Sequence, residues 1–189
     1  MPRILILCST PRRAGNSYTL AERVAEAARA EGATVDLVRL AGMRIDPCDA
    51  CDACLGSASA TCILDDDMMA LYPRIEAADA IVFASPIYFF SFNAQLKAVL
   101  DRLYALGSSE SWDALAGKRV GLIFTYGDPD PLQSGVTNAL STFRDACRFL
   151  KMELVDCVHA ACGDEGAVRS DARALAAAEA LGRRLATGR

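Results

Sequence analysis

The sequence predicts a doubly wound α/β domain whose five-stranded parallel sheet has strand order 2-1-3-4-5, and three observations lead there. Five short apolar runs recur, at residues 4–8, 34–38, 80–84, 120–124 and 154–158. Segments with helical spacing lie between them, and strands alternating with helices make βαβ units with right-handed crossovers. The length of 189 residues suits one α/β domain with a buried core and is short for two. The whole chain, 1–189, is therefore read as one domain with a cysteine-rich insertion at about 41–64.

The first, third and fourth runs are nearly continuous in apolar residues, as expected of strands covered on both faces. The second alternates, with Val35 and Leu37 flanking Asp36, which suits an edge strand. Leu20, Val24 and Ala28 mark the first helix, and Leu175, Ala178 and Leu185 the last. Leu96, Val99, Leu100 and Leu103 share one helical face, as do Leu140, Phe143, Cys147 and Leu150.

Composition narrows the function. An apolar fraction of 52% with 23% charged residues is that of a folded protein. A net charge of −4 gives no global positive field for nucleic acid or anionic lipid. The basic pair Arg12-Arg13 follows the first apolar run, the wrong order for a signal peptide. The apolar stretch at 80–90 is broken by Ser85 and Pro86 and is too short to span a bilayer. The expectation is a cytoplasmic protein without nucleic-acid or membrane partners, whose eight cysteines are not a disulfide framework.

Between the first strand and the helix carrying Leu20 lies Ser9-Thr10-Pro11-Arg12-Arg13-Ala14-Gly15-Asn16-Ser17. A helix N-terminus offers free N–H groups and the positive end of a dipole, which suits a phosphate. The hydroxyls of Thr10, Ser17 and Thr19 and the Asn16 amide add donors, and Arg12 adds charge-assisted hydrogen bonds. N-capping alone would explain Asn16 or Ser17, but not Thr10, Arg12 and Gly15 as well. The loop lacks both the Gly-Lys-Ser/Thr ending of a Walker loop and a Gly-x-Gly-x-x-Gly run.

After the third strand comes Ser85-Pro86-Ile87-Tyr88-Phe89-Phe90-Ser91-Phe92-Asn93. In this strand order the first and third strands are neighbours whose connections leave on opposite faces, and ligands bind at that switch point. Pro86, Ile87, Tyr88 and Phe89 can wall a planar heteroaromatic ring. Phe90 and Phe92 read as core or interface residues. Tyr126-Gly127-Asp128, after the fourth strand, closes a third side of the cleft. Asp65, Asp66 and Asp67 read as a helix start and not as a metal site. His159 reads as structural, and Trp112 as packing a loop.

Residues 41–64 hold no periodicity but carry Cys48, Cys51, Cys54 and Cys62. Thiolates at three-residue spacing can converge on one cubic cluster, with the fourth brought back by the small residues at 56–59. Zinc and cluster-free thiols, the latter free or as a redox disulfide, stand beside that reading. Cys8, Cys147, Cys157 and Cys162 read as small buried hydrophobes.

Together these residues resemble the NAD(P)H-dependent FMN reductase superfamily, a flavodoxin-like group, and within it the iron–sulfur flavoprotein family. Residues 9–17 match the pattern Gly-Ser-Pro-Arg-x-x-Gly-Asn-Thr, with Ser9 in place of the first Gly. Asp66-Asp67-Met68, Ser85-Pro86-Ile87-Tyr88-Phe89, Gln95-Leu96-Lys97 and Asp101-Arg102 match further segments. Pro73 departs from the pattern and is expected to end or kink its helix. The resemblance implies FMN with its phosphate at Thr10, Arg12, Asn16 and Ser17, and its ring on residues 86–91, Ser91 included, and near Gly127. It further implies a 4Fe–4S cluster on Cys48, Cys51, Cys54 and Cys62.

The activity expected is that of a flavin-dependent oxidoreductase exchanging electrons between cluster and FMN, with ferredoxin or NAD(P)H as redox partner. A cluster-free NAD(P)H-dependent FMN or quinone reductase and a flavodoxin-like carrier or sensor are the alternatives. No side chain is assigned a catalytic acid–base role. The aromatic excess at Phe89, Phe90 and Phe92 points to a homodimer or homotetramer.

Overall fold

The computed structural model describes residues 1–55, 62–107 and 114–188, so Trp112 and the segment 56–59 lie outside the described residues. In chain order the elements are β1 (Arg3–Cys8), α1 (Asn16–Ala30), β2 (Thr34–Arg39), α2 (Met68–Ala77), β3 (Ala80–Tyr88) and β4 (Ser91–Phe92). There follow α3 (Ala94–Arg102), α4 (Tyr104–Gly107), β5 (Arg119–Tyr126), α5 (Pro131–Ser134), α6 (Val136–Phe149) and β6 (Glu153–Ala161). A 3-10 turn, Ala167–Ser170, leads into α7 (Ala172–Thr187). The parallel path runs β2-β1-β3-β5-β6, and β5 and β6 are the fourth and fifth strands foreseen from sequence. The fold is that of the flavodoxin-like proteins.

Each face of the sheet carries its own core. Leu5, Leu7, Phe83, Leu122 and Phe124 pack under α2, α3 and α6, with Phe143 at the centre. Its ring lies 5.0 Å from Phe83 and 5.1 Å from Phe92. Ile4, Ile6, Val82 and Ile123 pack under α1 and α7 on the other side. Burying each such side chain contributes roughly 1.5–3 kcal/mol. This alternation on a single strand is why the central runs look continuously apolar. The chain thus winds from β1 to one face and from β3 to the other, which opens the switch point between them.

Two local features differ from the sequence expectation. Ser85, Pro86, Ile87 and Tyr88 belong to β3 rather than to a loop after it. Ser9 N–H donates to Ala84 O at 2.9 Å, so Ala84 turns its backbone groups toward β1. Pro86, two residues on, faces the same side, where β1 has already ended at Cys8. Its missing N–H therefore removes no ladder bond. Pro73, in turn, does not end α2, which runs through it to Ala77. It sits on the exposed side of the helix, where water can satisfy the carbonyl it strands.

The base of the cysteine loop is fixed by one buried ion pair. Arg102, the last residue of α3, donates to Asp66 at 2.7 and 3.2 Å, and both side chains are essentially inaccessible. The guanidinium also donates to Asp46 O at 3.0 Å and to Tyr72 Oη at 3.4 Å. Asp66 further accepts from the N–H groups of Asp46 at 2.8 Å and Met68 at 3.0 Å. Asp67 adds a bond from Arg44 N–H at 2.7 Å, and the Arg44 guanidinium donates to Asp65 O. The acidic run does start a helix, as expected, but its central member is committed to Arg102.

Burial alone would raise the Asp66 carboxyl. The bonds from Arg102, Asp46 and Met68 outweigh it and hold the group below the ordinary carboxylate value. A carboxyl depressed in the folded state stabilises the fold above its unfolded value, and that stability is lost as pH falls through the folded one. Asp66→Asn leaves a buried guanidinium unpaired and should lower unfolding free energy by about 3–5 kcal/mol in urea titrations at pH 7. The loss should shrink as the pH is lowered below the carboxylate range, and a constant loss down to the acid limit would reject the assignment.

Candidate functional site

At the carboxyl edge of β1 and β3 the chain forms a cleft. One wall is the loop from Thr10 through Arg12 to Gly15 and Asn16. The facing wall is Pro86, Ile87 and Tyr88 at the end of β3. The third side is Thr125, Tyr126 and Gly127 at the end of β5, with Cys162 and Gly163 after β6.

The first loop is built to leave donors open. Helix α1 begins at Asn16, four residues before Leu20, and its N-cap is Gly15, which has no side chain to spend on capping. Among the described residues the N–H groups of Asn16 and Ser17 meet no acceptor. Gly15 is also required by space, since a Cβ there would lie 2.6 Å from Thr10 Oγ1. Among the described residues the exposed Arg12 guanidinium has neither a hydrogen-bond nor an ion-pair partner. An uncapped helix start, a hydroxyl and an unpaired guanidinium at one mouth suit an anion.

The other expected phosphate residues are spent on the scaffold. Ser9 is fully buried, its hydroxyl donating to Ala84 O at 3.2 Å. Ser17 shares a 2.7 Å hydroxyl–hydroxyl bond with Thr125, which locks α1 to β5. The Asn16 amide donates to Asp164 O at 2.8 Å and accepts from Val168 N–H at 3.2 Å. Asn16 therefore lines the cleft while holding down the segment after β6. The sheet end is locked by Asn93, which caps α3, donates to Ser9 O at 2.8 Å and bonds Ser85 Oγ.

Phe89 and Ser91 are not among the residues that line the cleft. Tyr88 and Ser91 pair across a two-residue turn in which Phe89 is 94% exposed. Phe92 is core, as foreseen, while Phe90 stays half-exposed at the turn. Sequence reading missed Thr125, Cys162 and Gly163 as cleft residues. The signal available was positional, because all of them follow or end strands at the same sheet edge. Gly127 and Gly163 face open space, so the floor of the cleft has room for a ring.

Arg12 is the only ionic side chain on the cleft wall among the described residues. No carboxylate, imidazole or amine is placed there for acid–base work, so the chemistry must come from what the cleft holds. His159 is not on the cleft wall; its Nδ1 lies 2.7 Å from the hydroxyl of Tyr126, which is. Burial pushes the Cys8 and Cys147 thiols up to about 11 and Cys157 to about 12, which fits inert packing residues. Cys162 is raised likewise, to about 11, although it borders the cleft.

Cys48 and Cys51 are exposed, and Cys54 and Cys62 are half-buried against the core under α2. Among the described residues no three Cys, His, Asp or Glu side chains come together as a metal site. In this conformation the four thiols do not form the ligand set of a cluster.

Comparison with known proteins agrees with this geometry. A family model described as NADPH-dependent FMN reductase matches residues 2–179. An iron–sulfur flavoprotein of Methanosarcina thermophila is 35% identical over 100 residues, 53% of this chain and 51% of that one. An FMN-dependent NADH:quinone oxidoreductase of Cereibacter sphaeroides is 35% identical over 118 residues, 59% of this chain and 60% of that one. The chain thus spans about half to three-fifths of the length of these curated relatives. Among solved structures, an NAD(P)H:quinone oxidoreductase of Methanothermobacter marburgensis superposes with a TM-score of 0.72 at 20% identity. That match covers 97% of this chain and 96% of the other, and at this identity it speaks for the fold.

Gly15→Ala should displace the Thr10 hydroxyl and weaken FMN by roughly tenfold, about one hydrogen bond's worth. Calorimetric titration checks this, and unchanged affinity would show that Thr10 plays no part in binding.

Proposed function

The chain belongs to the NADPH-dependent FMN reductase family, a family of flavin-dependent oxidoreductases, and on that premise we propose that it binds FMN and passes electrons from NAD(P)H to a small acceptor such as a quinone. The observation that carries the reading is the unpaired Arg12 beside an uncapped α1, at the mouth of a cleft otherwise walled by uncharged residues. Arg12 and the N–H groups of Asn16 and Ser17 hold the phosphate, with Thr10 adding its hydroxyl. Pro86, Ile87 and Tyr88 would flank the ring, with Tyr126 and Gly127 on the third side of the cleft. Bound FMN supplies hydride acceptance together with one- or two-electron release. The net exchange consumes NAD(P)H, a quinone and one proton, and yields NAD(P)+ and the hydroquinone. The protein's part is to orient and enclose, because among the described residues no carboxylate, imidazole or amine lines the cleft. Among the described residues no helix is long and apolar enough to cross a membrane. Exposed Leu132 and Phe149, with the half-exposed Phe90, favour assembly as a homodimer or homotetramer, which sedimentation reads directly.

Arg12→Ala should weaken FMN ten- to a hundredfold, the roughly 1.5–3 kcal/mol of a charge-assisted bond, while leaving riboflavin binding unchanged. The FMN-loaded native chain should oxidise NADPH or NADH in stopped flow. Equal loss of both flavins in the variant would sink the phosphate assignment, and no oxidation of either nucleotide would sink the activity.

A second reading places a 4Fe–4S cluster on Cys48, Cys51, Cys54 and Cys62. It is favoured by the three-residue spacing and by relatives that bear the name iron–sulfur flavoprotein. The loop would have to rearrange, since among the described residues no three of these thiols come together. Anaerobic reconstitution of the native chain beside Cys51→Ala tests it by iron and sulfide analysis. About four irons per native chain, lost in the variant with FMN retained, is the outcome this reading requires. Iron-free protein returns the cysteines to free or disulfide-forming thiols.

A further inference from the structure

The loop after β1 is held from two sides. Arg39, the last residue of β2, donates through Nη1 to Arg13 O at 3.2 Å and through Nη2 to Arg12 O at 3.4 Å. Its guanidinium also lies over the Tyr18 ring, 4.7 Å from the centroid. In a trans peptide the N–H points opposite to the carbonyl before it, so Ala14 N–H is turned away from Arg39. There it donates to the Glu165 carboxylate at 3.1 Å.

Glu165 belongs to the segment between β6 and the 3-10 turn. Cys162 and Gly163 of that segment line the cleft, and Gly166 turns it with φ of 81°. The segment does not need Glu165 to stay in place. The Asn16 side chain already bonds it twice, at Asp164 O and Val168 N–H, and Cys162 N–H donates to Tyr126 O at 2.6 Å. What Glu165 adds is charge. Arg12 and Arg13 stand on the same loop as Ala14, and the Arg169 guanidinium reaches back toward Gly166. Among the described residues none of these three pairs with the Glu165 carboxylate. Its negative charge therefore bears on Ala14, one residue before the N-cap Gly15 of α1.

A carboxylate at this place is a like charge for any phosphate held at the uncapped start of α1. Resting on the proposed FMN site, we propose that Glu165 is a specificity-determining residue that loosens FMN through its phosphate alone and leaves the hold on the ring unchanged. Glu165 and Ala14 are not among the residues that line the cleft, so the carboxylate acts by charge and not by filling the space. Phosphate recognition is then a balance, with Arg12 and the N–H groups of Asn16 and Ser17 on one side and Glu165 on the other. Glu165 is exposed, and solvent screening keeps its share modest.

The test titrates the native full chain, Glu165→Gln and Glu165→Asp with FMN and with riboflavin by calorimetry, at low salt and at about 0.5 M sodium chloride. Gln keeps an oxygen for Ala14 N–H and removes the charge, whereas Asp keeps the charge. As changes at an exposed position, both variants should melt within about 2 °C of the native chain. Glu165→Gln should bind FMN about three- to tenfold more tightly at low salt, with riboflavin unchanged and most of the gain lost at high salt. Glu165→Asp should stay within about twofold of native for both flavins. Unchanged or weaker FMN binding in Glu165→Gln reduces the residue to a brace for the loop and overturns the proposal. Equal tightening of both flavins puts its effect on the ring, and a gain that ignores salt is not electrostatic; either overturns it as well. A native chain that binds FMN no more tightly than riboflavin overturns the phosphate assignment itself, and this role with it.

Discussion

A guanidinium and a carboxylate that are both shut away from water must meet each other with good geometry, or the fold does not close. Arg102 and Asp66 satisfy that demand, and much else follows from how they do it. Asp66 opens α2 and Arg102 ends α3, while Asp46 belongs to the far side of the cysteine loop. The pair therefore joins three parts of the chain that no strand connects. Tyr72 completes the site by donating to Arg102 O at 3.1 Å, and burial pushes its hydroxyl up to about 12 against the lowering effect of the Arg102 guanidinium. Cys62 lies within electrostatic reach of both Tyr72 and Arg102. The cysteine loop is thus pinned at its base.

The cleft depends on a second economy, the reuse of small polar side chains as joinery. Ser9, Ser85, Asn93, Ser17 and Thr125 are all buried, and each satisfies its neighbours rather than a ligand. Their work leaves backbone N–H groups, one hydroxyl and one guanidinium to face the cleft. A site made mostly of main chain places its specificity in loop shape, and Gly15 is where that shape is most tightly constrained. Thr10 and Gly15 thus constrain each other, and neither can be changed alone without moving the loop.

How much of this was legible in the sequence follows the range of the forces involved. The strands and their order came from apolar runs and crossover rules, which are local and chiral, and they match the sheet. The helix start after β1 was legible because it has a chemical signature within a few residues, and the structure leaves it uncapped at Gly15. The division of labour inside it was not, since Ser17 looks like a ligand until Thr125 comes to meet it from 108 residues away. Pro86 read as a loop because a proline argues against a central strand, and only the early end of β1 removes the objection. Arg102 gave no sign of burial, for its partner lies 36 residues off and across a loop. Cys162 and Gly163 entered the cleft by sheet geometry alone.

What remains is why a family with one cofactor site supports several reactions, and the cleft suggests a physical reason. Its inner wall carries no group that selects a reaction, only groups that hold an anion and a ring. Selection must then come from the rim, where side chains are not needed to build the sheet. One residue past Tyr88 stands an aromatic turn in left-handed backbone, and elsewhere the chain carries a loop of four cysteines; stability alone explains neither. The turn leaves both rings exposed and costs conformational energy. Both sit on firmly held bases, the turn clamped at Gly135 and the loop fixed at Asp66. A firmly held base under exposed side chains is the arrangement expected where contact with an outside molecule, rather than folding, sets the residue choice. The cofactor is thereby fixed by the sheet and the reaction by what stands around it.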